Sequence, residues 1–230
     1  GDISRDVNLI TGGDGHTYIA WAEEWPALNN ISEVRLFTEK EYLCRSVSNT
    51  VISKEGVYSP MIQLSSDKNV NIVWAQGENG KPKDIYYKKK NPVNLSNTPL
   101  SDSSDPLIGF DGSLTVNVAW VEQTADSGKR EIKVARSTDG GNNFYYNNSI
   151  SETGVDSYCP ALATYNDNNI YVAYKGGDSI YFTRWSFLFS FAPPESISAG
   201  SQSPSCPVML TGSNGTIYVV WSDNGDIWFS

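Results

Sequence analysis

Val116-Asn117-Val118-Ala119-Trp120 is one of five runs along this chain in which β-branched and small apolar residues lead to a large aromatic. The others are Thr17-Tyr18-Ile19-Ala20-Trp21, Val70-Asn71-Ile72-Val73-Trp74, Ile170-Tyr171-Val172-Ala173-Tyr174 and Ile217-Tyr218-Val219-Val220-Trp221. They recur about every 50 residues, and self-similarity at such a period marks an array of one supersecondary unit. In the last four copies a proline stands at one fixed distance upstream of the aromatic: Pro60, Pro106, Pro160 and Pro207. Val7 holds that place in the first copy.

Each unit carries four strand signals. A short apolar run follows the proline, as in Met61-Ile62-Gln63-Leu64 or Val208-Met209-Leu210. A turn rich in Asp, Asn and Gly comes next, such as Gly12-Gly13-Asp14-Gly15 or Ser213-Asn214-Gly215, and these residues tolerate the backbone of a tight hairpin. The aromatic run is the second strand. Val34 to Phe37, Ile85 to Tyr87, Ile132 to Val134, Ile180 to Phe182 and Ile227 to Phe229 form the third. The fourth ends in an apolar-Ser pair: Ile52-Ser53, Leu95-Ser96, Ile150-Ser151 and Ile197-Ser198. No stretch has helical periodicity. Four antiparallel strands in a repeat of this length are a propeller blade. The expected fold is all-β: one five-bladed β-propeller domain over 1–230, with blades at about 9–53, 61–96, 107–151, 161–198 and 208–230 joined by 1–4. Ile3-Ser4 repeats the apolar-Ser pair, so the N terminus is expected to supply the fourth strand of the last blade and remove two exposed edges.

The net charge of −9 disfavours nucleic acid or anionic lipid as the main partner. No apolar run is long enough to span a bilayer, so membrane insertion is not expected. The chain opens on Gly1, which implies a removed leader or a piece of a longer chain. Sequons at Asn30, Asn94, Asn147 and Asn214 fall in turns or at strand edges, where a glycan is solvated. They point to an extracellular or cell-surface protein. Cys159 and Cys206 share one slot in consecutive repeats, each directly before the repeat's proline. A disulfide between them requires Cα atoms within roughly 7 Å. Two free buried thiols are the alternative, with Cys44 unpaired either way.

One further stretch, Ser137-Thr138-Asp139-Gly140-Gly141-Asn142-Asn143-Phe144, matches the Asp-box pattern of bacterial neuraminidase repeats and lies between third and fourth strands. The whole repeat resembles the sialidase-like propeller superfamily, with a single intact box. The resemblance implies that Asp139 and Ser137 fold a hairpin rather than do chemistry. Sialidase catalysis does not carry over. The family uses three arginines, one in an Arg-Ile-Pro motif, and none of Arg5, Arg35, Arg45, Arg130, Arg136 and Arg184 is followed by Ile-Pro. His16 is the sole histidine, and no His/Cys/Asp group has metal-ligand spacing, so no metal or cofactor is expected.

Two function classes follow. The first is a non-catalytic module that binds glycan or glycoprotein, or builds an assembly. Its ligand residues would be Trp25, Tyr58 and Tyr158, whose rings offer flat surfaces, with Glu23 and Asp105 on the same loop face. The second is a propeller-type glycoside hydrolase, whose two carboxylates must stand several Å apart; the candidates are Asp105 with Glu122 or Asp223. Last, Trp185-Ser186-Phe187-Leu188-Phe189-Ser190-Phe191 replaces the Asp box in the fourth blade. These apolar side chains either lengthen and pack a hairpin or form a patch for self-association or a neighbouring domain.

Overall fold

The structure is a computed structural model, and it describes residues 3–25, 31–38, 43–46, 55–78, 80–112, 114–151, 154–166, 169–186 and 190–230. Among these residues there is no helix. The chain forms five antiparallel sheets, one per sequence repeat, the blades of a five-bladed β-propeller fold. Sheet one holds β1 (Ile3–Thr11), β2 (Thr17–Trp25), β3 (Ile31–Thr38) and β4 (Leu43–Ser46) in that order. Sheet two holds β5 (Glu55–Leu64), β6 (Val70–Glu78), β7 (Asp84–Lys88) and β8 (Pro92–Asn94). Sheet three holds β9 (Asp102–Phe110), β10 (Val116–Gln123), β11 (Arg130–Ser137) and β12 (Tyr146–Ser149). Sheet four holds β13 (Ser157–Thr164), β14 (Ile170–Gly176), β15 (Ser179–Ser186) and β16 (Ser190–Phe191), with β17 (Glu195–Ser196) also on β15. Sheet five holds β18 (Val208–Thr211), β19 (Ile217–Asp223) and β20 (Asp226–Phe229). The chain divides into two compact units, Gly1–Ile108 and Gly109–Ser230.

The aromatic run is the second strand of every sheet, and in β10 seven successive residues are buried. Burial on both faces is what a strand between two neighbouring sheets demands, and it explains an almost unbroken apolar run in place of strict alternation. Side chains on the two faces have separate partners. Ala119, Val121, Ile132 and Val134 of sheet three pack on Val172 and Tyr174 of sheet four. Ala173 and Ile180 of sheet four pack on Val219 and Trp221 of sheet five. In the first unit Ala20, Ala22, Val34 and Leu36 pack with Ile72 and Trp74.

The apolar-Ser pair has a clear physical role. Leu95, Ile150 and Ile197 donate their N–H to the carbonyls of Ile85, Ile132 and Ile180 at 2.7, 2.8 and 2.9 Å. The following hydroxyls of Ser96, Ser151 and Ser198 accept the N–H of those same isoleucines at 2.9, 3.0 and 2.8 Å. The Ser oxygen thus replaces a backbone carbonyl where the fourth strand leaves the sheet, so the ladder ends without an orphaned donor. Ile52-Ser53 lies outside the described residues.

Two expectations are corrected. In sheets two, three and four the proline lies inside the first strand instead of ahead of it, while in sheet five Pro207 stands directly ahead of β18 as expected. β5 and β13 begin before Pro60 and Pro160, and the register slips between Tyr58 and Met61 and between Tyr158 and Ala161. The residue ahead of the proline takes a left-handed backbone: φ is 49° at Ser59, 51° at Asp105 and 52° at Cys159, with 55° at Asp6 in sheet one. Such a non-glycine residue costs about 1 kcal/mol, and the resulting bulge bends the strand and re-aims its side chains. For the same reason Ile3-Ser4 does not complete the last blade. β1 begins ahead of its own bulge, and Ile3 and Ser4 pair with Glu24 and Glu23 inside sheet one. Sheet five has three strands among the described residues.

Candidate functional site

In sheets two and four the bulges each have an aromatic neighbour. Tyr58 and Tyr158 stand directly ahead of them. The guanidinium of Arg5 lies 4.8 Å from the Tyr58 ring centroid and the ammonium of Lys83 5.7 Å. Arg130 and Lys175 approach Tyr158 at 4.5 and 5.6 Å. The two rings expected to stack on sugar therefore already hold cations, which a π face attracts at these distances.

A second device recurs beside them. The backbone N–H and the ammonium of Lys83 donate to Asp102 Oδ1 at 2.8 and 2.7 Å. Arg130 repeats this in sheet three: its N–H and Nε each donate to Asp156 Oδ1 at 3.0 Å, and its terminal nitrogen donates to Oδ2. Each pair ties the entrance of a third strand to the start of the next first strand. The signal was visible in the sequence as a basic residue shortly before the third-strand isoleucine and an acidic one shortly before the next proline. It went unread because neither residue belongs to an apolar run.

Around the second of these pairs lies an open cavity of about 460 Å³, lined by Gln123, Gly128, Lys129, Arg130 and Asp156. That volume is within the usual range for small-ligand sites, roughly 300–1,000 Å³. Gln123 Nε2 donates to the Gly128 carbonyl at 2.8 Å, and Lys129 Nζ donates to the Gly154 carbonyl. The wall combines a guanidinium, an ammonium, an amide and a carboxylate, a donor and acceptor set suited to hydroxyl-rich or weakly anionic ligands. The hydrogen bonds of the Arg130 side chain hold the Asp156 carboxyl down to about 2, with the Arg130 backbone N–H and the Arg130 and Lys129 charges acting the same way against desolvation. A depressed carboxyl gives stability that is complete above its unfolded pKa and lost as pH falls through the folded one. Wild type is accordingly expected to lose stability from about pH 4 towards pH 2, and Asp156→Asn to show a shallower acid transition. Urea midpoints taken across that range check this; an unchanged slope would remove the ion pair from the stability account.

The carboxylates expected to act chemically differ in availability. Asp223 is buried and accepts the backbone N–H of Gln202 and Ser203 at 2.8 and 2.9 Å, bonds that lower its pKa. It caps the segment leading into sheet five. Glu122 is buried, accepts Trp120 Nε1 at 3.4 Å and lies 3.7 Å from Lys133 Nζ. Lys133 also approaches Glu131 at 3.9 Å, directly across the ladder from Glu122. Sheet one repeats that triad: Arg35 lies 3.3 Å from both Glu23 and Glu33, again a cross-strand pair. Recurrence at equivalent positions in two sheets marks these triads as fold elements, with Glu23 among them. Asp105 is different: it is exposed on the bulge and accepts the hydroxyl of Ser104 at 3.0 Å.

The remaining candidates are placed as follows. Trp25 ends β2 opposite Ile31, and its side chain is outside the described part. Asn30, Phe187, Leu188 and Phe189 lie outside the described residues. Asn147 and Asn214 are exposed, whereas Asn94 donates to Asp84 Oδ2 at 2.8 Å. Trp185 and Phe191 pair across a short hairpin with their rings edge-on at 5.4 Å, and Phe191 packs against the core. Both therefore pack on other side chains. Cys159 and Cys206 are joined by a disulfide with Cα atoms 5.4 Å apart. In the Asp box, Asp139 Oδ1 accepts Ser137 Oγ at 2.7 Å and the N–H groups of Asn142 and Asn143 at 3.0 and 2.9 Å. Among the described residues no group of His, Cys, Asp or Glu could hold a metal ion.

No family model matches this sequence, and no curated protein does. Solved structures do match in fold. An alpha-L-arabinanase of Penicillium chrysogenum complexed with arabinobiose superposes with a TM-score of 0.61 at 14% identity, over 99% of this chain and 77% of that one. A Hadza microbial sialidase gives 0.62 at 14% identity, over 99% of this chain and 56% of its own. An ulvan lyase gives 0.60 at 11%, over 96% and 62%. At these identities the similarity is one of fold alone.

Proposed function

We propose that this chain acts on carbohydrate as a propeller-type glycoside hydrolase, in preference to a purely binding or structural module. The observation that supports it most is the fold likeness, over nearly the whole chain, to propellers named for saccharide chemistry: an arabinanase, a sialidase and a lyase. The second unit adds a polar cavity of ligand size, whose donors and acceptors suit sugar hydroxyls, and the first unit adds an exposed carboxylate, Asp105, on a strained bulge. In this reading Asp105 is the acid/base. The Asp-box resemblance and an extracellular setting belong to the same reading, since a disulfide persists in oxidising compartments.

The experiment is hydrolysis of arabinan, arabino-oligosaccharides and sialosides, with Asp105→Asn beside wild type. Loss of a general acid/base is expected to lower kcat/KM by at least about hundredfold. The non-catalytic reading keeps one specific observation in its favour: Glu122 and Asp223 are both committed to holding the fold. Saturable calorimetric binding of these saccharides without turnover would select it. Neither binding nor turnover would defeat both readings.

A further inference from the structure

The residue after the second-strand aromatic is small or apolar in four of the repeats: Ala22, Ala75, Val121 and Ser222. The first three of these are buried. Sheet four departs from the pattern and places Lys175 there, half-buried and directly across the ladder from Tyr158. A cation there adds nothing to blade packing that an apolar side chain would not supply. Partial burial of its charge also carries a desolvation cost.

Tyr58 and Tyr158 hold the same place ahead of their bulges, and their surroundings differ in charge. Both cations over Tyr58 are neutralised, Arg5 by Glu24 at 3.2 Å and Lys83 by Asp102 at 2.7 Å. Lys129 and Arg130 line the cavity of the second unit, and Arg130 and Lys175 approach the Tyr158 ring. Of these three cations only Arg130 has an ion pair among the described residues, with Asp156. Lys129 gives its ammonium to the Gly154 carbonyl. The charge of Lys175 acts on Asp223, but that carboxylate already accepts two backbone N–H groups. Asp126 and Asp178, exposed in adjoining turns, pair with none of the three. Positive charge therefore exceeds its partners here, in a chain of net charge −9.

We propose that this cavity binds an acidic sugar, one that carries a carboxylate or a sulfate group. The assignment rests on the saccharide reading given above and narrows it. Asp156 accepts the backbone and side-chain N–H groups of Arg130 and so fixes that wall. Lys129 and Lys175 bring compact charges on flexible stems, which can turn towards an incoming anion. Hydrogen bonds to an ionised group are roughly twice as strong as neutral ones. The charged substituent thus dominates selection, and Gln123 and Asp156 supply partners for the hydroxyls.

Calorimetric titration of the intact chain tests this with an oligogalacturonate, a sulfated galactan oligosaccharide and a neutral arabino-oligosaccharide. At low ionic strength an acidic probe should bind at least about tenfold more tightly than the neutral one, and the gap should narrow as salt rises. Whichever acidic probe binds distinguishes carboxylate from sulfate. Lys129→Gln with Lys175→Gln should close the gap with unchanged circular dichroism, while Lys90→Gln, an exposed charge in the first unit, should leave it intact. Equal affinity for the neutral probe, or acidic binding untouched by the double variant, overturns the assignment and leaves the saccharide reading standing. An acidic probe that binds without being cleaved supports the site and removes the hydrolase. Binding by none of the three overturns both.

Discussion

Replacing Cys206 by Ser lowers the stability of the second unit by about 4 kcal/mol. The bond closes a loop with a sequence separation of 47, and the chain-entropy relation for a loop of that size gives this magnitude. For a protein of this length it corresponds to a melting temperature lower by about 10 °C. Calorimetry of Cys206→Ser, with reduced wild type as the second comparison, measures it. Agreement between the two attributes the loss to the bond and not to the new serine. Cys206 is exposed, so the substitution leaves no cavity. Three alkylatable thiols in the unreduced protein would show that the bridge does not form.

Arg136→Ala is the second large effect. Arg136 is buried, lies 3.1 Å from Asp111 Oδ2 and donates to Asn117 Oδ1 at 2.9 Å, while its guanidinium sits 4.8 Å from the Trp185 ring centroid. Asn117 returns a hydrogen bond to Asp111 at 3.0 Å. Truncating the arginine strands a buried carboxylate whose charge has lost its main partner, a change that costs about 3–5 kcal/mol. Arg136→Met combined with Asp111→Leu removes both charges and should recover most of that loss, because well-packed apolar replacements of buried pairs are often neutral. Urea denaturation of the single and double variants decides the point. A single variant within 1 kcal/mol of wild type would show that water solvates Asp111.

This network shows how far the sequence could be read. The runs ending at Trp74, Trp120 and Trp221 gave the period, the strand type and the number of sheets, because burial on both faces writes itself as continuous apolar residues. Arg136 looked like an ordinary strand residue, since nothing local says that Asp111 and Asn117 meet it. The Asp box was legible for the opposite reason: all its partners lie within a few residues of Asp139. The loop face fell between these cases. Tyr58 and Tyr158 stand out in the sequence as equivalent positions of two repeats, but the cations over their rings come from other strands, and only the fold brings Arg5 or Arg130 there. The strand boundaries failed at Ser59, Asp105 and Cys159, because a residue ahead of proline normally favours extended backbone and here turns left-handed instead.

The serine that ends each fourth strand has a consequence for how such a chain can change. Once Ser96, Ser151 or Ser198 has taken the last isoleucine N–H, the ladder is closed by the serine itself, and the connector that follows holds on only through particular residues, such as Thr98 on Asp84 or Gln202 and Ser203 on Asp223. An exposed connector position such as Leu100 can therefore exchange its residue while the blades on either side keep their register. Variation is steered onto the loop face and away from the ladders, so selection can rewrite what the protein meets there without renegotiating how it folds.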